Sequence, residues 1–260
     1  MPNVKIGLSM LFCLGESFKS LVRRLRKVDV NHVELLDEGL HSLNSNRVKT
    51  LKKLSLSHGL ELSLHAPFVD MNIASPNPIF RRTILRHLRK SIRYASQLNC
   101  QFWVFHPGKR TGVSRFYPGL DWELNIGAVH ELSKTAKQHG VPIAVENLPE
   151  SFPFLMKSVE DFSRFYNDFQ EDLGLAFDIG HANMNKQIED FVTRFSSKIV
   201  HIHAHDNEGI QDSHLGIGNG NIPWTKVADV VKKSKYHGTI MLESVDHVRE
   251  SLQTVRKLFT

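Results

Sequence analysis

The stretch HIHAHDNEGIQDSHLGIGNGN, residues 201–221, opens with histidines at every second position: His201, His203 and His205. Side chains on a strand alternate between faces, so a strand here sends all three imidazoles the same way. Five metal-competent side chains, His203, His205, Asp206, Asp212 and His214, follow in quick succession. Four histidines and two aspartates within 14 residues exceed what a solvated loop collects by accident. Imidazole mixed with carboxylate is a donor set that divalent metals take. The glycines Gly216, Gly218 and Gly220 lack the spacing of a dinucleotide fingerprint, and no helix opens directly after them. Their expected duty is to let the backbone turn sharply or pass close to a site.

The rest of the chain has the size and composition to support such a site. At 260 residues and 41% hydrophobic it can bury a full core, expected as a single domain over 1–260. Two cysteines, Cys13 and Cys100, are too few for a disulfide framework and fit a reducing, cytoplasmic setting. The apolar run 7–14 is too short for a membrane span and follows a single charge, Lys5, so it reads as a strand and loop and not as a signal peptide. No other run reaches membrane-spanning length, and no membrane partner is expected. A formal charge of +6 and a pI near 9.3 lean mildly toward an anionic partner, nucleic acid or phosphate.

Short apolar runs alternate with longer helical patterns about eight times, the pattern of βα units around a parallel sheet. Strands are expected over 5–10, 32–36, 60–65, 102–106, 142–146, 173–178, 199–203 and 239–243. Over 78–98, Leu85, Leu88, Ile92 and Ala95 fall at helical spacing, while Arg81, Arg82, Arg86, Arg89, Lys90 and Arg93 read as a solvated outer face. Val248, Leu252, Val255 and Phe259 repeat the apolar stripe in the last helix. With no linker or internal repeat, this is an α/β chain folded as one (β/α)8 TIM barrel. Six successive strands then stop on a metal-competent residue: His65, His106, Glu146, Asp178, His203 and Glu243. In such a barrel these ends ring one mouth, where the fold keeps its chemistry, and His181, Asp212 and His214 sit in loops over it.

These residues lie in HAPFVDMNIASPNP (65–78), VFHPG (104–108), VEN (145–147), FDIGH (177–181), HAHDN (203–207), DSHLGIGNGN (212–221) and LES (242–244). As a set they resemble the endonuclease IV and xylose isomerase-like superfamily (AP endonuclease family 2) of metal-dependent TIM barrels. In the endonuclease IV branch the resemblance implies up to three metal ions, usually zinc. His65, His106 and Glu146 would hold one; Glu146, Asp178, His203 and Glu243 a second; His181, Asp212 and His214 the third. In the sugar isomerase and epimerase branch it implies one ion, with manganese or magnesium acceptable, held by Glu146, Asp178, His203 and Glu243. The two glutamates there also move protons, and His181 holds substrate.

Charge helps to separate the branches. Glu146, Asp178, Asp212 and Glu243 bring −4 if ionised, so three divalent ions leave about +2, which attracts phosphate, and one leaves about −2, which suits a neutral sugar. Phe68 stands roughly where the endonuclease branch probes a lesion, and Lys109, Arg110 and Arg115 follow His106 as candidate phosphate contacts. Glu34, read as the end of strand two, is a further candidate polar contact. Against DNA repair stand the short loop between His203 and Asp212 and the unlike sequence after Glu146. Against a ketohexose epimerase stands Gly209, near where that branch offers an arginine. The leading expectation is a phosphodiester hydrolase acting at abasic or damaged DNA, with Glu243 orienting or deprotonating a metal-bound hydroxide. The alternative is a sugar or sugar-phosphate isomerase or epimerase with Glu146 and Glu243 as acid and base. A non-catalytic metal-binding scaffold is the third. The oligomeric state stays open.

Overall fold

Each expected apolar run folds into a strand, and each strand is followed by a helix that lays its apolar stripe on the sheet. The computed structural model describes residues 4–150 and 152–260. The order is β1 (Lys5–Ser9), α1 (Phe18–Leu25), β2 (His32–Leu36), α2 (Ser45–His58), β3 (Glu61–His65), α3 (Pro78–Leu98), β4 (Trp103–Phe105) and α4 (Leu120–His139). It continues with β5 (Ile143–Glu146), α5 (Val159–Phe169), β6 (Gly174–Asp178), α6 (Ile179–Met184), α7 (Ile188–Phe195), β7 (Ile199–Ala204), α8 (Trp224–Lys233), β8 (Thr239–Leu242) and α9 (Val248–Phe259). All neighbouring strands pair in parallel and β8 returns to β1, closing the (β/α)8 barrel. Among the described residues no helix is long and apolar enough to cross a membrane.

The helices form for local reasons. In α3, Pro78 opens the first turn, the Asn77 side chain accepts from the backbone N–H of Ile79 and Phe80, and Asn99 ends the helix in the left-handed region at φ 55°. Leu85, Leu88, Ile92 and Ala95 are all buried. On the outer face Arg82, Arg86, Lys90 and Arg93 are exposed, whereas Arg81 is partly covered and bonds the Ser75 carbonyl, and Arg89 pairs with Glu131. The α5 start is a reciprocal cap between Ser158 and Asp161.

Most of the apolar core lies between sheet and helices, and the inside of the barrel is more polar than its outside. Val104, Ala144 and Ala176 form a small separate apolar cluster, while His32, Glu34, Ser63, His201 and His203 are buried on β2, β3 and β7. This corrects one expectation: Glu34 is mid-strand in β2, not at its end, and is fully buried. The strand ends shift by a residue elsewhere. β4 stops at Phe105 and β8 at Leu242, so His106 and Glu243 are the first residues beyond, while β7 runs one residue past His203 to Ala204. The Glu243 N–H still bonds the Ala204 carbonyl at 2.9 Å, which fixes its position over β7.

Candidate metal centre

The C-terminal mouth gathers the donors into three adjacent groups, in each of which the candidate ligand atoms lie within 4.8 Å of one another. Glu146, Asp178, His203 and Glu243 make the deepest group, and all four are buried. His203 Nδ1 is 2.8 Å from Glu146 Oε1, 3.6 Å from Glu243 Oε2 and 3.9 Å from Asp178 Oδ2. Glu146 also belongs to the second group, with Oε2 at 3.3 Å from His65 Nε2 and 3.0 Å from His106 Nε2. The third holds His181, Asp212 and His214, whose Nε2 atoms lie 3.2 and 3.3 Å from the Asp212 carboxylate.

The chemistry of this donor set fits metal ions. In His65, His181 and His214, Nδ1–H donates to a backbone carbonyl, of Ala66 at 2.9 Å, Asn147 at 2.8 Å and Glu243 at 3.1 Å, which leaves Nε2 as the free donor toward the cluster. Asp178 Oδ2 and Asp212 Oδ1 are buried without a hydrogen-bond partner, as expected of oxygens reserved for a cation. The scaffold is held from behind. Asp178 Oδ1 accepts from the His181 N–H at 2.7 Å, while the Asn147 amide exchanges two hydrogen bonds with the Asp178 backbone.

Electrostatics express the same need for positive charge. Burial alone would lower His65 and His181, but the carboxylates beside them win and push them up to about 9 and about 10. Burial works against ionisation of Glu146 too, yet His203, His106 and His65 hold it well below the ordinary carboxylate range. Glu243 moves the other way, raised by burial and by Glu34 and Glu146 against the pull of His203. Without metal, the stability that charged His65 and His181 contribute is fully present below pH 6.5 and is lost as pH rises through about 9 to 10. The rise at His65 from 6.5 to about 9 corresponds to about 3 kcal/mol. In chelator-treated protein the loss of charge on His65 alone should therefore cost roughly 5–10 °C of melting temperature between pH 7 and pH 10, with His181 adding to it. Metal-loaded protein should lose less, a difference that differential scanning calorimetry measures.

The expected contacts around the donors divide. The groups border a cavity of about 410 Å³ whose walls include Phe68, Lys109, Leu148, Phe152 and Phe154. Phe68 stands edge-on to His65, centroids 5.3 Å apart, and Lys109 Nζ lies 5.1 Å from the Phe154 ring centre. Arg110 does not face this mouth: it lines a separate groove with Asp121 and Arg164, because its N–H bonds the Pro153 carbonyl and the chain turns outward there. Arg115 sits exposed at the end of the 3-10 turn Gly112–Arg115 and does not border the cavity. Glu34 is also absent from the cavity, since it lies beneath the donors inside the barrel. A larger concavity, about 830 Å³, runs along the outer wall between α1 and α9, far from the donors.

Two residues of the opening stretch take roles that spacing alone did not assign. Asp206 is no donor to the cluster. Its carboxylate accepts from the N–H groups of Asn207, Gly218 and Ile222 and from Trp224 Nε1, tying down the loop that carries Asp212 and His214. Gly220 is needed beside it, since a Cβ there would lie 2.4 Å from Asp206 Oδ1, and Gly218 turns the chain at φ 91°. His205 joins the third group, with Nε2 at 3.2 Å from Asp178 Oδ1 and 3.5 Å from Asp212 Oδ1. The alternation of His201, His203 and His205 was the signal for it.

Comparison with known proteins agrees with this architecture. An uncharacterized protein of Methanocaldococcus jannaschii is 32% identical over 97% of this chain and 87% of its own. The crystal structure of a D-tagatose 3-epimerase-like protein superposes with a TM-score of 0.92 at 31% identity, covering 98% of this chain and 97% of that one. A probable endonuclease 4 of Aquifex aeolicus is 25% identical over 68% of this chain and 67% of its own. Likeness to an epimerase-like protein thus extends further and closer than likeness to an endonuclease, which runs against the expected preference for a hydrolase. With its profile matched over residues 22–258, the chain belongs to the xylose isomerase-like TIM barrel family.

Proposed function

We propose that the protein is a metal-dependent isomerase or epimerase acting on a small sugar or sugar phosphate. The observation that carries this reading is the deepest donor group, in which two glutamates, Glu146 and Glu243, border the mouth cavity and lie within reach of the same point as the buried Asp178 and His203. A divalent ion held by these four, with manganese, magnesium or zinc all compatible with three carboxylates and one imidazole, would supply a Lewis acid for the oxygens of a hydroxy-ketone. Glu146 and Glu243 would share the proton work: one carboxylate accepts the proton from the carbon beside the carbonyl, and the other returns one. Phe68, Phe152, Phe154 and Leu148 keep water away, and Lys109 is the cation nearest a phosphate on the far end of a substrate.

The cavity favours this over a polyanion. Its lining carries one lysine against Asp70, Glu146, Asp212 and Glu243. The buried charge is also larger than the four carboxylates counted from sequence, because Glu34 adds a fifth beneath them. With the histidines neutral as metal ligands, a phosphodiester approaching this mouth meets net negative charge unless several ions are bound.

A second reading, hydrolysis at abasic or damaged DNA, is favoured by one observation: three donor groups, each able to hold an ion, lie side by side at the mouth. Elemental analysis of protein purified without added metal separates the two. About one ion per chain, exchangeable for manganese or magnesium, is expected of the isomerase. About three firmly held zinc ions, with incision of a duplex bearing an abasic site, would overturn it.

A further inference from the structure

We infer that Glu34, buried inside the barrel below the donors, is a positioning residue that fixes His203 in the one tautomer able to bind metal through Nδ1. Glu34 Oε1 lies 3.1 Å from His203 Nε2 and Oε2 lies 3.0 Å from His201 Nε2. All three residues are 0% exposed, and neither oxygen of Glu34, nor Nε2 of His201 or His203, meets hydrogen-bond geometry with any partner, so these close approaches are what each has to offset its burial. The two imidazole edges are therefore the only positive potential available to a carboxylate that has left water altogether. A lone pair on either nitrogen, pointed at that carboxylate, would be repelled, so each Nε2 carries its proton.

The consequence falls on the other side of the His203 ring. With the proton on Nε2, neutral His203 presents a lone pair at Nδ1, and that atom is the one 2.8 Å from Glu146 Oε1 in the deepest donor group. Two acceptors cannot remain at that distance with nothing between them: either a second proton, which makes the ring an imidazolium that donates to Glu146, or a metal cation that displaces that proton must join them. Glu34 thus acts toward His203 as backbone carbonyls act toward His65, His181 and His214, but from the opposite ring nitrogen. His203 is the one ligand candidate of the three groups whose ring is held by a carboxylate behind the site, with Glu34 on β2 reaching across the barrel to β7.

This inference rests on the metal-holding role given to His203 above and is independent of the substrate, so its test reads metal. Glu34→Gln keeps the shape, but its amide can satisfy only one imidazole as acceptor and turns an N–H toward the other. Zinc affinity, measured by competition with a chelator at fixed pH on protein of unchanged circular dichroism, is expected to fall about 10- to 100-fold. Long-range ¹H–¹⁵N correlation on histidine-labelled, zinc-loaded wild type is expected to show His203 protonated at Nε2 and metal-bound at Nδ1. That spectrum carries the test by itself if Glu34→Gln does not fold. A folded Glu34→Gln variant with wild-type zinc affinity, or metal bound at Nε2 of His203, overturns the inference. Loss of one whole ion from several, with the others unchanged, overturns it too, by making Glu34 a ligand. A wild-type protein that binds no divalent ion overturns this inference together with the proposed function.

Discussion

Glu146→Gln is expected to strip the deepest group of its metal and to lower turnover by at least about 10³-fold, the largest effect of any single substitution. Glu146 is the hub of the mouth: its two oxygens meet His203 at 2.8 Å, His106 at 3.0 Å and His65 at 3.3 Å, so it belongs to two donor groups at once. Gln has the same volume but no charge. The three imidazoles then face a neutral group inside a buried site, and removing one partner of such a pair costs about 3–5 kcal/mol. Metal content, melting temperature and turnover should therefore fall together. A variant that melts as the wild type does and keeps its metal would show that Glu146 holds nothing.

Glu243→Gln should behave differently, lowering kcat by about 10²- to 10⁴-fold while leaving the fold in place. Its carboxylate has no partner closer than His203 at 3.6 Å, and its firm contacts run through the backbone: its N–H to Ala204 and its carbonyl from His214. The side chain is thus free for chemistry and adds little to the architecture. Measured at saturating metal, the expected result is a loss in kcat with melting temperature nearly unchanged. Undiminished turnover would leave Glu146 without its partner in proton transfer. A protein serving only as a metal-binding scaffold would show at most a weaker hold on its ion after this change.

Much of the architecture was legible because barrels repeat. Apolar runs bounded by helical stripes marked all eight strands, and donors at strand ends marked the mouth. The residues that misled did so for a common reason: a strand's period says which residues share a face and not what that face meets. Glu34 alternates like a residue heading for the mouth, but closure of the barrel buries it in the interior, against His201 and His203. Asp206 carries a good ligand side chain, yet both of its oxygens are occupied by loop N–H groups and by Trp224. Arg110 follows Lys109 directly, and that single step along the chain turns it from the mouth to a different groove.

The preference for a hydrolase over an isomerase is not supported, for a reason at another level. Nine donors of the right type say that cations are wanted, but phosphodiester cleavage and sugar isomerisation draw on overlapping donor sets. What separates them is the shape and charge of the space above, and those come from walls such as Phe152 and Phe154 and from the buried Glu34, whose placement needs the folded chain.

Proton exchange tests the proposed chemistry most directly. Manganese-loaded protein incubated in D₂O with a panel of ketopentoses, ketohexoses and their phosphates should wash deuterium into the carbon next to the carbonyl of at least one sugar, as read by loss of its ¹H signal, and Glu243→Gln should abolish the exchange. No exchange with any member of the panel, while the same preparation cuts a duplex at an abasic site, would contradict it.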